Sequence, residues 1–469
     1  MNREDGRAPH IIVVGAGMGG LTVAATALAE GADVTVLEKS GRAGGSAALA
    51  NGMLITYADL ERLEREAMGG FPALQEVVHS TLPAAAEWLG RLGVELQRIP
   101  TLMERYHGWS FAPSQFIRAT LAEIARLGGQ LLLSTPMTSL IVENGRVCGV
   151  EVVDDDGVER PIVGDAVVLA TGGFQGNPEL LARYAGLDAN DVSHRSNPWS
   201  TGDGLSAALA TGAATSAGMG GFYGHAMPAP PARHTVGEFA DLAQYYGSGS
   251  VAINMRGRRF IDETRGTFEE NVNHALSKQS GGLGFYIFDA AFGEHSSPDP
   301  LFSPPNLVAK RAEKAGGTVL RADSLAELAS QIAGLGVPED EVLRTIQSVA
   351  DAASSGDYSR LPIPRSGPGT SLLTGPFTAV HVRASITSTT GGLRVDDEMR
   401  VVRSAASSAP TSRYWITDPR DFSEQVVDGL YAVGSDLGGV SCGGYAGGLA
   451  TALTTGRAAA FAVCANIIR

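Results

Sequence analysis

Apolar positions in this chain fall first into a short β-branched run and then into helical spacing. Residues 11–14 (IIVV) contain no polar position, the pattern of a strand buried on both faces. GAGMGG follows at residues 15–20, and apolar residues then recur at helical spacing from Leu21 to about Glu30, where Gly31 stops the helix. Residues 33–37 predict a second strand, ending at Glu38. Strand, glycine turn, helix, strand and acid make a βαβ unit with a dinucleotide fingerprint. Gly15 allows the tight turn, Gly17 (after Ala16) lets backbone approach a pyrophosphate, and Gly20 lets helix and strand pack closely. Glu38 is placed to accept ribose hydroxyls.

The fingerprint alone suits NAD or FAD, but three later segments favour the longer cofactor. Residues 40–52 (SGRAGGSAALANG) form a second small-residue loop straight after the acidic strand, with Lys39, Ser40, Gly44, Gly45, Ser46 and Gly52 as candidate contacts. Residues 166–173 (AVVLATGG) read as an apolar strand whose end, Ala170, Thr171 and Gly172, returns beneath the dinucleotide. Residues 429–439 (GLYAVGSDLGG) read as another strand ending in Gly434 and Asp436, an acid suited to ribityl hydroxyls.

Between about 221 and 384 the α/β alternation fades. Pro-rich stretches at 226–233 and 296–306 bound mixed segments, Ser324 with Glu327 predicts a capping box, and Pro338 opens a further helix. Residues 365–376 read as a connecting loop and 404–412 as a surface loop. The fold class expected is α/β: a Rossmann-like FAD-binding domain, residues 1–220 and 385–469, with an inserted α+β substrate-capping domain at 221–384.

Composition sharpens this. Of 469 residues 60 are glycine, about 13% against an ordinary ~7%, while 44% are hydrophobic. With no collagen period and ample apolar content, glycine-rich loops touching a large ligand explain the excess. Those at 218–224 and 281–284 are candidate hinges. The formal net charge of −14 argues against nucleic-acid and anionic-membrane partners. Cys148, Cys442 and Cys464 lack metal, haem or disulfide spacing, and no metal site is expected. The polar start shows no signal peptide, and the apolar run 458–468 is short for a bilayer span, so a cytoplasmic protein without a membrane span is expected.

VVGAGMGGLTVA, VLEKSGRAGGS, LATGGF, TGDGLSAALATGA, INMRGRRFIDE, TGGLRVD and GLYAVGSDLGG…YAGGLATALTTGRAAA run in order over nearly the whole chain. On these motifs the sequence resembles the succinate dehydrogenase/fumarate reductase flavoprotein family, nearest to its ketosteroid and tricarballylate dehydrogenase branches. The resemblance implies FAD, hydride transfer between flavin N5 and a C–C bond beside a carbonyl or carboxylate, a small-molecule substrate, and an electron acceptor such as a quinone, O2 or a redox protein. It also implies Met137 near adenine, Asp203 and Asp436 holding the cofactor, and a helix opening at Gly448, Leu449 and Ala450 toward the flavin edge, where reduced flavin is negative. Relatives with covalent FAD use a His in the loop after the second strand. Residues 40–52 contain none, so noncovalent FAD is expected.

The chemistry needs a carbonyl polariser and a base. Tyr445 precedes the proposed flavin-facing helix, at a place where the ketosteroid and tricarballylate enzymes carry Tyr and soluble fumarate reductases Arg; a phenol suits a ketone or enone. The resemblance puts Tyr106 near the substrate. The family's proton-transfer position falls on Thr267, so Arg265 or Glu269 is the nearest substitute and the base stays open. The paired His of soluble fumarate reductases is replaced by Thr387, Ser388, Thr389 and Thr390, of which Ser388 is a candidate substrate contact. His107, Trp109, Tyr223 and His225 read as lining or packing, Arg258 and Arg259 as serving the fold, and Arg195, Arg265 and Arg383 as conceivable carboxylate anchors. The reaction expected is α,β-desaturation of a ketone or enone; the alternatives are a partner-driven ene or carboxylate reductase and a non-catalytic flavin-binding protein.

Overall fold

The computed structural model describes residues 7–67, 69–154, 156–265, 269–295, 302–404 and 426–468. Two compact units emerge. One comprises Met1–Leu180, Ser196–Phe222 and Ser388–Arg469, the other Leu181–Arg195 and Tyr223–Thr387. Residues 181–195, read from the sequence as part of the FAD-binding portion, thus group with the second unit.

The first unit is built on a six-stranded sheet ordered Arg400–Val402, Val426–Ala432, Ala166–Leu169, His10–Val14, Asp33–Leu37 and Gln130–Leu132. All pairings are parallel except the antiparallel first one. Val13 stands opposite both Val168 and Val36, and Ile11, Ile12 and Val13 are fully buried, as an all-apolar central strand requires. The helix Met18–Ala29 begins three residues earlier than its apolar spacing suggests, because Gly19 and Gly20 lie within its first turn. It packs against the C-terminal helix Gly448–Ile468. They meet closely at two glycines: a Cβ on Gly456 would stand 2.8 Å from the Gly19 carbonyl oxygen.

The apolar run 458–468 is the second half of that C-terminal helix. Its residues Gly448–Ile467 are long and apolar enough, by length and composition, to cross a membrane. In this fold the helix also packs on Pro72–Arg91 and on the strand Met53–Tyr57, so its apolar surface serves the core of the first unit.

The second unit centres on an antiparallel sheet in which Phe377–Arg383 and Val251–Asn254 flank Leu283–Phe288. Met227–Pro228 and Val319–Ala322 share the far edge of Phe377–Arg383. Helices Leu325–Ala333 and Glu339–Ser355 close one face over Val251, Ile253, Phe285 and Ile287. Ser324 caps the first, accepting from the Glu327 N–H at 3.2 Å. The reciprocal half of the expected capping box is displaced by one residue, since Glu327 accepts from the Asp323 N–H instead.

Candidate functional site

In the first unit the opening strand ends at Gly15. Its φ of +107° and its contact with the Ala170 carbonyl exclude a side chain. A Cβ on Gly20 would overlap the Gly15 carbonyl oxygen and push the helix off the strand. Gly17 differs: it caps the helix, and a Cβ there would meet nothing within 4 Å. The helix N-terminus therefore opens onto clear space, with the first-turn N–H groups and the positive end of the dipole at its mouth.

Glu38 ties this mouth together. Its Oε2 accepts the Ala16 N–H and its Oε1 the Ser40 N–H, both at 2.9 Å, and the residue is only 8% exposed. Each oxygen keeps a further acceptor position for a hydroxyl. The following loop folds back over the glycine turn: the Gly44 N–H donates to the Ala16 carbonyl at 2.8 Å, and Gly45 lies against the Gly17 Cα. Ser46 is exposed. Gly52 has a structural task in the chain itself. Its left-handed φ of +71° serves a tight contact with Phe111, whose N–H donates to the Gly52 carbonyl at 2.9 Å.

Lys39 binds Asp203 and Thr201 at 2.7 and 2.6 Å, so Asp203 carries its own counter-ion. Met137, Asn177, Thr201, Asp203 and Arg403 share a cavity of about 650 Å3.

Asp436, expected to meet ribityl hydroxyls, is 1% exposed and already accepts three donors of the chain: Thr171 N–H, Thr171 Oγ1–H at 2.9 Å and Gly172 N–H at 3.3 Å. Burial pushes its carboxyl up to about 7. It is a clamp between strand ends 265 residues apart in sequence. Nearby, the Gly434 N–H donates to Thr455 Oγ1 at 3.1 Å, fixing that strand end to the C-terminal helix.

The C-terminal helix opens at an exposed Gly448, with Leu449 half-buried and Ala450 buried. Tyr445, half-buried, sits in the glycine loop just before it. Tyr106 is 3% exposed, packs against Tyr57 at 4.7 Å between ring centroids, and donates its phenol to the Tyr445 carbonyl at 3.1 Å. It therefore supports the Tyr445 loop. Ser388 is half-buried in the short strand Ser388–Thr389, whose Thr389 Oγ1 accepts the Phe174 N–H at 3.2 Å.

In the second unit Arg265 is exposed in a turn, its N–H bonded to the Asp262 carbonyl, and Thr267 lies outside the described residues. Arg259 forms a buried pair with Glu263 at 2.6 Å, joined by Arg365, while Arg258 pairs with Glu341 at the surface. Arg195 is buried with its guanidinium on Thr387 Oγ1 (2.7 Å), the Tyr245 hydroxyl (3.1 Å) and the Phe239 carbonyl (3.3 Å).

A linear chain of side chains also stands out in this unit. Tyr223 Oη and His225 Nε2 are 3.0 Å apart, His225 Nδ1 and Glu269 Oε2 2.8 Å, and Glu269 Oε1 accepts from Tyr286 Oη at 2.6 Å and the Ala226 N–H at 3.1 Å. His225 and Glu269 are 4% and 1% exposed, while Tyr223 is half-buried. Sequence reading took Tyr223 and His225 for lining and noted Glu269 only for its position. An acid 44 residues from its histidine gives no local spacing to detect.

Residues 10–451 match the family model described as an FAD binding domain. The chain belongs to this family. Its cofactor is FAD, and it is an FAD-dependent oxidoreductase by family. The chain is 27% identical over 405 residues to an NADH:acrylate oxidoreductase of Vibrio harveyi, covering 82% of this chain and 36% of that one. It is 28% identical over 372 residues to a 3-oxosteroid 1-dehydrogenase of Mycolicibacterium smegmatis, covering 72% and 60% respectively. The chain thus spans less than two thirds of the length of either relative. Its fold is similar to that of the 3-ketosteroid Δ1-dehydrogenase of Sterolibacterium denitrificans, with a TM-score of 0.73 at 20% identity over 97% of this chain and 99% of that one.

The first unit's residues fit the family's FAD. The clear space at Gly17 suits a pyrophosphate at a helix N-terminus, and the spare acceptor positions of Glu38 suit a ribose. The exposed start of the helix at Gly448 is a second positive end, suited to an anionic flavin edge.

Proposed function

We propose that this family member is an FAD-dependent dehydrogenase that introduces a C=C bond beside the carbonyl of a ketone or enone. The observation that carries the reading is Tyr445, a half-buried phenol in a glycine loop directly before the open end of the C-terminal helix. Its hydroxyl donates to the substrate carbonyl and stabilises the enolate that forms as the α-proton leaves. Tyr106 holds the backbone of that loop, and Ser388 is a further substrate contact. FAD, when bound, supplies the two-electron acceptor, and a quinone, O2 or a redox protein reoxidises it. The similarity to a 3-oxosteroid 1-dehydrogenase supports this direction.

Anaerobic titration tests it. A saturated or partly saturated cyclic ketone, 4-androstene-3,17-dione first, should bleach the oxidised flavin band near ~450 nm, an expectation general to flavin carriers. The similarity to an NADH:acrylate oxidoreductase favours the second reading, reduction of an activated alkene. On that reading ketones leave the flavin oxidised, while acrylate reoxidises dithionite-reduced protein.

A further inference from the structure

We propose that the second unit holds a binding site for the carboxylate of a small apolar acid, built on the guanidinium of Arg195 and the hydroxyls of Tyr245 and Thr387. All three residues belong to that unit, and the site does not depend on the direction of the flavin reaction.

Arg195 is 7% exposed, and its three acceptors, the Phe239 carbonyl and the Thr387 and Tyr245 hydroxyls, are all neutral. Among the described residues no carboxylate pairs with it. The unit's other buried guanidiniums, those of Arg259 and Arg365, share Glu263. The acids on the elements around Arg195 are engaged elsewhere. Glu238 accepts from the Thr235 N–H and hydroxyl, both at 2.8 Å, and Asp241 pairs with Arg311 at 3.3 Å. Glu269 and Glu270 stand on His225, at 2.8 Å from Nδ1 and 3.9 Å from Nε2. Burial also pushes the Glu269 carboxyl well above the ordinary carboxylate range, so it prefers the form without charge. A positive charge buried among neutral groups is costly, and a bound anion removes that cost.

The unused donors surround this charge. A guanidinium has five N–H groups, and one on each nitrogen is taken here, so each terminal nitrogen keeps one. A hydroxyl that accepts from Arg195 turns its own proton away from it. Neither the Tyr245 nor the Thr387 proton has a taker among the described residues. Two N–H and two O–H donors are therefore left for the two oxygens of a carboxylate. Charge narrows the class to a monoanion. Burial holds the His225 and His234 imidazoles below their usual range, with Arg195 adding to the effect, so neither supplies a second positive charge. Rings furnish the rest. Tyr245 packs on His225 at 4.4 Å and on Phe302 at 5.2 Å, and Phe239 on His234 at 5.7 Å, which suits an apolar or aromatic body behind the carboxylate.

Calorimetric titration of the FAD-loaded protein tests the site, with benzoate and crotonate set against their uncharged counterparts, benzamide and crotonamide. At least one acid should bind, about tenfold or more tightly than its amide. R195Q should weaken that binding about 10–100-fold. Y245F and T387V keep the cation and remove one hydroxyl each, and each should weaken it about tenfold. Acids that bind no better than their amides, or no better than chloride or phosphate, overturn the site. So does an acid bound equally by wild type and R195Q. If R195Q does not fold, the acid–amide difference and the Y245F and T387V losses decide. The flavin spectrum separates the two sources of the carboxylate. An acid that is itself the substrate bleaches oxidised flavin or reoxidises dithionite-reduced flavin, while one that leaves both spectra unchanged is a separate ligand; either keeps the site. Bleaching by 4-androstene-3,17-dione without acid binding sinks the site and leaves the dehydrogenase reading standing. Acid binding without bleaching by ketones does the reverse.

Discussion

The Tyr106 phenol donates to the backbone carbonyl of Tyr445 at 3.1 Å, so one tyrosine sets the place of another. The two should therefore fail differently. Y445F removes the carbonyl polariser and should lower the rate of flavin reduction by about 10²–10³-fold, as loss of an oxyanion donor does. Y106F should cost about 1 kcal/mol of stability from one buried hydrogen bond and raise KM more than it lowers the rate. Thermal unfolding and stopped-flow kinetics on both variants separate the roles; equal kinetic loss would put Tyr106 back at the substrate.

Glu38 holds two backbone N–H groups and faces the space open at Gly17. Replacing it with alanine should weaken FAD binding about 10–100-fold, the worth of one or two charge-assisted hydrogen bonds. Titration of the apoprotein with FAD, followed by flavin fluorescence quenching, measures this. A change under twofold would mean that Glu38 only organises the loop.

Asp436 gives a pH signature with a definite sign. Burial holds its carboxyl at about 7, above the ordinary 3.8, so the folded state prefers the protonated acid. Its contribution to stability is full below about pH 4 and is lost as pH rises through 7. D436N mimics the protonated form. In FAD-saturated protein it should match wild type near pH 4–5 and unfold at a higher temperature than wild type above pH 7. A constant gap across that range would mean that Asp436 stays ionised in the fold.

The loop after the second strand carries no histidine. Acid precipitation should leave the polypeptide colourless and all FAD in the supernatant. Flavin absorbance remaining with the pellet would show a covalent link.

The contact between Gly456 and the Gly19 carbonyl leaves too little room for a methyl group. G456A should destabilise by about 1–3 kcal/mol through overpacking, read as a fall in melting temperature. An unchanged melting point would mean that the two helices separate at no cost.

The first sheet was legible because its central strands are uniformly apolar and its turn carries a glycine pattern with one physical explanation. Gly15, Gly17 and Gly20 each do separate work, and the spacing alone revealed it. At Gly52 the sequence does not distinguish a glycine that meets a ligand from one that meets the Phe111 carbonyl. The sequence does not show that Asp436 and Tyr106 each bond to the chain itself. Hydrogen-bond partners hundreds of residues apart leave no periodic trace. The same holds for Glu269, whose partners His225 and Tyr286 come from separate elements. The start of the helix Met18–Ala29 was set three residues late because glycines carry no hydrophobic signal.

The position of Val426–Ala432 beside Ala166–Leu169 has a consequence for biosynthesis. A nascent chain makes the helix Met18–Ala29 and the strand Ala166–Leu169 long before their partners Gly448–Ile468 and Val426–Ala432. Until then the buried edge of Ala166–Leu169 has no cover, and the helix Met18–Ala29 lacks its long apolar neighbour. Completion of the first unit's sheet must wait for Val426–Ala432, while the second unit, whose strands all precede residue 388, is free to form earlier. A chain stopped before Val426 would carry the whole second unit and an unfinished first one.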